Sequence, residues 1–381
     1  MDLPFAPEIG GATAFDEAFA VGVLEPRGKT TSAALLVVGG ALSTGKKVDL
    51  GAVHGDVLAP RAVTSGSALI VAVPDGAPHG TLLRMARVDD VLGAARVTWG
   101  AELLEGNDDS DTFAVEAGQK STLVAWDDWD AKAGHGVVHA AVLAAGDVAK
   151  PSPVFVLSGE HDDAESPALA ARAGGFWVAW IANAKRAPDR KERHEPKDPA
   201  DTTELEMGPR YVVVAPVDDA GKPAGAPAVA TPKEGHVMGF DLAAAKDGGA
   251  LLTWRDDPAS PGTAGGIVRL ALIRPDGSIE PRVVTDDDVG PGAPSLVVDV
   301  APPSGTHGFL TVADDADAVR LVSLDADGRA EDELAVEPSL ALSTALAARA
   351  GKVLVSRPAG KGLEVEVLAC EKGHAKDVAP P

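Results

Sequence analysis

Ala168-Leu169-Ala170-Ala171-Arg172-Ala173-Gly174 returns, residue for residue, as Ala345-Leu346-Ala347-Ala348-Arg349-Ala350-Gly351. Seven identical residues at two distant places mark an internal repeat, which has to be followed through before domains are drawn from length. Each copy runs into a short apolar stretch, Phe176-Trp177-Val178-Ala179-Trp180 after the first and Val353-Leu354-Val355-Ser356 after the second. Stretches of the same kind stand at 19–23, 69–73, 123–126, 251–254 and 309–313. Their last residues, 23, 73, 126, 180, 254, 313 and 356, are spaced by 50, 53, 54, 74, 59 and 43. A period near 50 is what a four-stranded sheet with its turns requires.

The rest of the unit aligns on these seven anchors. A run of small, β-forming residues precedes each one, and a third strand follows. Val268-Arg269-Leu270-Ala271-Leu272-Ile273 before Pro275-Asp276-Gly277 matches Val319-Arg320-Leu321-Val322-Ser323-Leu324 before Ala326-Asp327-Gly328. Asp-Gly supplies the positive φ of a tight hairpin and so marks the turn into a fourth strand, as at 281–285, 227–231 and 153–157.

The reading is an all-β, seven-bladed β-propeller of four-stranded antiparallel blades, over residues 1–373. The blades fall at about 11–55, 56–105, 108–160, 161–234, 235–289, 290–339 and 340–373. Two stacked β-sandwiches would also give many short strands, but they do not account for seven evenly spaced anchors. The last blade shows no fourth strand before a polar tail at 374–381, so residues 3–9 are expected to join it as its outer strand and close the ring. Pro4 and Pro7 suit such an edge.

The unit resembles the degenerate repeats of bacterial β-propeller proteins over essentially the whole chain. It departs from the named classes. Trp126-Asp127 ends a second strand rather than a third, unlike WD40 repeats, and the Asp-box of sialidases is absent. Gly174-Gly175 and Gly248-Gly249 lack the aromatic residues of kelch repeats, and Asp325-Ala326-Asp327-Gly328 is shorter than the calcium loops of integrin-type propellers. The resemblance therefore implies a fold and leaves the chemistry to the residues.

In propellers the blade-to-blade connections and the loops between second and third strands share the face that usually carries the site. Here the resemblance gathers Asp127-Asp128, Asp256-Asp257 and Asp314-Asp315 after the anchors, with His54, His161 and His236 between blades. His79, His135 and His307 lie in or near the same loops. Carboxylates and imidazoles at one mouth are the donors a ligand or a cation such as calcium would need, and could serve as acid and base. The plainer reading is that Asp and His beside Gly are turn residues duplicated with the repeat. Calcium aside, no cofactor is expected.

A charged insertion at 184–209 explains the long spacing of 74. Lys185, Arg186, Arg190, Lys191 and Arg193 make its first half the one concentrated basic stretch, and too few apolar residues are present to build a core. It reads as a partner-binding loop or as a tolerated surface insertion. Gly40-Ala41-Leu42-Ser43-Thr44-Gly45-Lys46 approaches the phosphate-loop pattern, but Lys47 replaces the required Ser or Thr and a strand pattern resumes at Val48, so it is taken as a hairpin turn. Trp129, Trp99 and Tyr211 are candidates for stacking on a sugar.

A net charge of −23 opposes nucleic acid and anionic membrane. No apolar run approaches the roughly 20 residues of a spanning helix, and Cys370, the one cysteine, can form no intrachain disulfide. Met1-Asp2-Leu3-Pro4-Phe5 lacks a leader's basic start and apolar stretch, which fits either a cytoplasmic protein or one whose leader has been replaced. The expectation is a monomeric, non-catalytic binding propeller, periplasmic or extracellular, with a protein or glycan ligand. The alternative is a hydrolase or lyase using the Asp and His residues of the same face.

Overall fold

The computed structural model describes residues 8–27, 30–39, 45–77, 80–104, 112–130, 132–159, 162–184, 209–257, 266–284, 289, 293–299, 307–313, 319–325, 327–336, 345–359, 362–371 and 374–377. Among them every regular element is a strand, and the strands form seven four-stranded antiparallel sheets in a ring, a seven-bladed β-propeller. Blade one holds β1 (Glu8–Phe15), β2 (Ala18–Arg27), β3 (Thr30–Gly39) and β4 (Gly45–Val53). Blade two holds β5 (Arg61–Ser65), β6 (Ala68–Ala77), β7 (Gly80–Asp89) and β8 (Arg96–Leu104). Blade three is β9 (Phe113–Ala117), β10 (Ser121–Asp130), β11 (His135–Ala144) and β12 (Phe155–Val156). Blade four is β13 (Asp162–Arg172), β14 (Gly175–Ala184), β15 (Arg210–Asp218) and β16 (Ala228–Val229). Blade five is β17 (Val237–Ala244), β18 (Ala250–Asp256), β19 (Ile267–Ile273) and β20 (Ile279–Val283). Blade six is β21 (Ser295–Asp299), β22 (His307–Ala313), β23 (Val319–Leu324) and β24 (Ala330–Val336). Blade seven is β25 (Ala345–Arg349), β26 (Lys352–Ala359), β27 (Gly362–Glu371) and β28 (His374–Asp377).

All seven anchors fall on second strands. A strand covered on both faces needs no polar alternation, and β6 shows this from Ala68 to Val73, where every residue is buried. The core is accordingly a series of slabs between blades. Leu35, Leu69 and Val71 fill the space between blades one and two. Trp177, Leu252 and Trp254 fill that between four and five. Asp276-Gly277 and Asp327-Gly328 make the expected turns into fourth strands, with φ of 87° and 75° at the glycines.

The expected closure is corrected. Blade seven has its own fourth strand, β28, which lies within the stretch read as a polar tail and fills the place assigned to residues 3–9. Glu8 and Ile9 belong to blade one, where they pair with Leu24 and Val23. Each blade is therefore built from consecutive strands. The ring closes by packing of β1 against β25, with Phe19, Val21 and Val23 of blade one meeting Ala347, Leu354 and Val367 of blade seven.

Candidate functional site

The second-to-third connections and the blade-to-blade connections do share one face, and hydrogen bonds tie them together. Gly76 N–H donates to His54 O at 2.9 Å, Arg210 N–H to Gly235 O at 2.8 Å and Asp257 N–H to His236 O at 3.1 Å. Two of the acidic residues picked out in the sequence, Asp127 and Asp256, make ties of the same kind. Asp256 Oδ1 accepts the His236 N–H at 3.0 Å, and Asp257 takes Arg255 Nε at 2.5 Å and Nη2 at 3.1 Å. Asp127 is buried inside β10, where it accepts the Ser166 N–H of blade four at 2.8 Å and the Thr112 hydroxyl. Asp128 accepts its neighbour's Trp129 N–H at 2.7 Å and faces His139 Nε2 at 3.7 Å. Their strands run past the anchors, so Asp127 and Asp256 are strand residues rather than turn residues.

His54 binds Asp75, and His236 stands by Asp256 three blades further on, so the structure does not assemble them into one cluster. Among the described residues no three His, Cys, Asp or Glu side chains form a metal-ligand set. His135 is buried and donates through Nδ1 to Gly136 O. Asp314, Asp315, His161 and His79 lie outside the described residues, as do Lys185, Arg186, Arg190, Lys191 and Arg193, between β14 and β15. Of the candidate stacking aromatics, Trp129 is 46% exposed, Tyr211 is buried, and Trp99 is 37% exposed with the Arg84 guanidinium over one face of its ring at 4.2 Å. β4 begins at Gly45, where a phosphate loop would need a helix.

The residues that break the repeat lie on the inner strands. Strand register aligns the blades: Gly11 opposes Gly22, Arg61 opposes Ala72, Ala114 opposes Ala125 and Ala168 opposes Ala179. Asp241 opposes Thr253, Ser295 opposes Thr311 and Ala345 opposes Ser356. At this level of the channel five blades present Gly, Ala or Ser, while blades two and five, nearly across the ring from each other, present Arg61 and Asp241. Two residues further along, the equivalent positions are Thr13, Val63, Glu116, Ala170, Ala243, Val297 and Ala347. Glu116 is the charged one. The sequence held the signal: Arg61, Glu116 and Asp241 are single charges in runs otherwise made of small and apolar residues.

These three groups lie on first strands, which pack side by side around the ring. Arg61 is exposed by area, yet its stem lies beside Gly11 of blade one and its guanidinium is 5.6 Å from the Phe113 ring of blade three. Burial pulls the guanidinium below its ordinary pKa, and the charge of Asp241 partly offsets this. Burial raises the Asp241 carboxyl against the lowering effect of the Leu296 and Leu242 N–H groups, both at 2.8 Å, and of Arg61. Burial pushes the Glu116 carboxyl up to about 8, with the Ala117 N–H opposing. Near neutral pH the channel thus offers a guanidinium and a carboxylic acid able to donate a proton.

No protein-family model matches this chain, and no curated protein sequence matches it. Solved structures share the fold. An ulvan lyase, described as a new family of polysaccharide lyase, has a TM-score of 0.60 at 8% identity, over 98% of this chain and 97% of its own. The β-propeller domain of the Trilobed protease from Pyrococcus furiosus, described as having an open velcro topology, has a TM-score of 0.54 at 8% identity, over 99% and 96%. The acylaminoacyl peptidase of Pyrococcus horikoshii has a TM-score of 0.51 at 11% identity over 98% of this chain, which spans about half, 52%, of that protein.

Proposed function

We propose that this propeller is a non-catalytic binding module, acting outside the cytoplasm as a monomer, whose loop-rich face engages a protein or glycan. One observation carries the reading. Among the described carboxylates of that face, Asp75, Asp127 and Asp256 hold connections and strands together and Asp257 pairs with Arg255. What the described residues of the face leave for a partner includes the exposed Trp129 and Met238; in the sequence the basic residues 185–193 fall between β14 and β15. An exposed aromatic whose neighbouring carboxylates are already engaged suits recognition better than bond cleavage. No helix of the described residues is long and apolar enough to cross a membrane.

The test is a glycan and peptide panel offered to the full chain, to the chain lacking 185–209, and to Trp129→Ala. A ligand recovered unchanged, with binding weakened in either variant, supports the reading. A ligand recovered cleaved favours the second reading, a hydrolase or lyase working beneath the same face. The observation on that side is Glu116, whose raised pKa suits a general acid.

A further inference from the structure

We infer that Arg61 anchors an anion site within the central channel, where its guanidinium takes the carboxylate of a small or chain-end ligand. The inference concerns the channel and does not rest on what the loop-rich face binds. Ten other arginines of the described residues are matched with carboxylates, Arg84, Arg255 and Arg357 among them. Arg61 has no hydrogen-bond acceptor or ion-pair partner among the described residues. Its guanidinium lies 5.6 Å from the Phe113 ring centroid, and its stem runs past the open side of Gly11. The ring lies against the guanidinium and leaves its donors for a planar anion, the geometry in which a guanidinium meets a carboxylate through two parallel hydrogen bonds.

The equivalent positions in five blades are Gly11, Ala114, Ala168, Ser295 and Ala345, so no long side chain from those positions competes with a ligand for Arg61. Asp241 does not close the gap. Each of its oxygens accepts a backbone N–H, from Leu242 and from Leu296 of the next blade, which holds it on its own side of the channel. Glu116, kept protonated near neutrality, adds little negative charge to repel an incoming anion.

Two sources supply such a carboxylate, a peptide C-terminus and a uronic acid. The full chain is titrated calorimetrically with N-acetylglycylglycine and its C-terminal amide, and with glucuronate and glucuronamide. Binding of one acid, with its amide weaker by roughly tenfold or more, is expected and identifies the source. Arg61→Met should erase that preference with an unchanged melting temperature. Should Arg61→Met fail to fold, Arg61→Lys serves instead and should weaken the acid severalfold by losing the paired hydrogen bonds. Asp241→Asn should tighten acid binding, because an opposing charge is gone. The inference fails if neither acid binds, if acid and amide bind alike, if Arg61→Met keeps the preference, or if Asp241→Asn weakens the acid.

Discussion

Asp75 Oδ1 accepts two hydrogen bonds from a single residue, the His54 main-chain N–H at 2.8 Å and the His54 imidazole Nδ1 at 2.9 Å. The other oxygen meets Arg84 Nη1 at 3.1 Å, so one carboxylate joins the entry of blade two to its second and third strands. Burial works against this charge, but the hydrogen bonds from His54 and Arg84 outweigh it and hold Asp75 below the ordinary carboxylate range. Because the folded pKa is depressed, the stabilisation is present above the unfolded value and is lost as pH falls through the folded one. Asp75→Ala should lower the unfolding free energy by about 2 kcal/mol at pH 7 in urea titration. The gap between variant and parent should narrow below about pH 4.

Glu116 behaves in the opposite sense. Its folded pKa of about 8 lies above the ordinary 4.5, so its contribution is most favourable at low pH and is lost as pH rises between those values. Glu116→Gln should match the parent at pH 4.5 and exceed it by about 1–2 kcal/mol at pH 8.5, the gain being limited because Glu116 is only partly buried by area. Melting curves at the two pH values decide this, and a constant difference would argue against a buried neutral acid.

Gly11 and Gly22 face each other across β1 and β2 but meet different surroundings. A Cβ on Gly22 would overlap the carbonyl oxygen of Pro60, which is backbone and cannot swing away, whereas one on Gly11 would find only the Arg61 stem at 3.7 Å. Gly22→Ala should therefore cost about 2–3 kcal/mol, while Gly11→Ala should stay within about 0.5 kcal/mol of the parent. Denaturant midpoints measured side by side test the contrast.

The seam between blades seven and one should carry the closure of the ring. Leu354 is fully buried there, and Leu354→Ala should cost about 3 kcal/mol through the cavity it leaves. Removal of residues 1–7 should shift the melting temperature little, since blade seven is complete without them. A large loss on that deletion would restore the strand-exchange closure expected from the sequence.

Second strands are legible because they are covered on both faces and show as apolar runs broken at most by one Thr or Ser, as from Leu123 to Trp126 and from Leu251 to Trp254. Fourth strands were harder, since they form the outer edge. β12 and β16 are two residues each with exposed Val156 and Val229, and His374–Asp377 carries no apolar pattern at all. That is why β28 was read as tail. The channel residues escaped for another reason. Reading first strands as generically small conceals the single positions, Arg61, Glu116 and Asp241, where a charge stands instead. The acids on the loop-rich face were found, but their hydrogen bonds depend on segments some 20 or 40 residues away, as for Asp256 with His236 and Asp127 with Ser166.

A sheet that borrows nothing from another part of the chain is also a unit of inheritance. Since every blade is one uninterrupted stretch, a copying event could add or drop a whole blade without leaving half a sheet orphaned. The matched heptapeptides of blades four and seven are what such copying would leave behind.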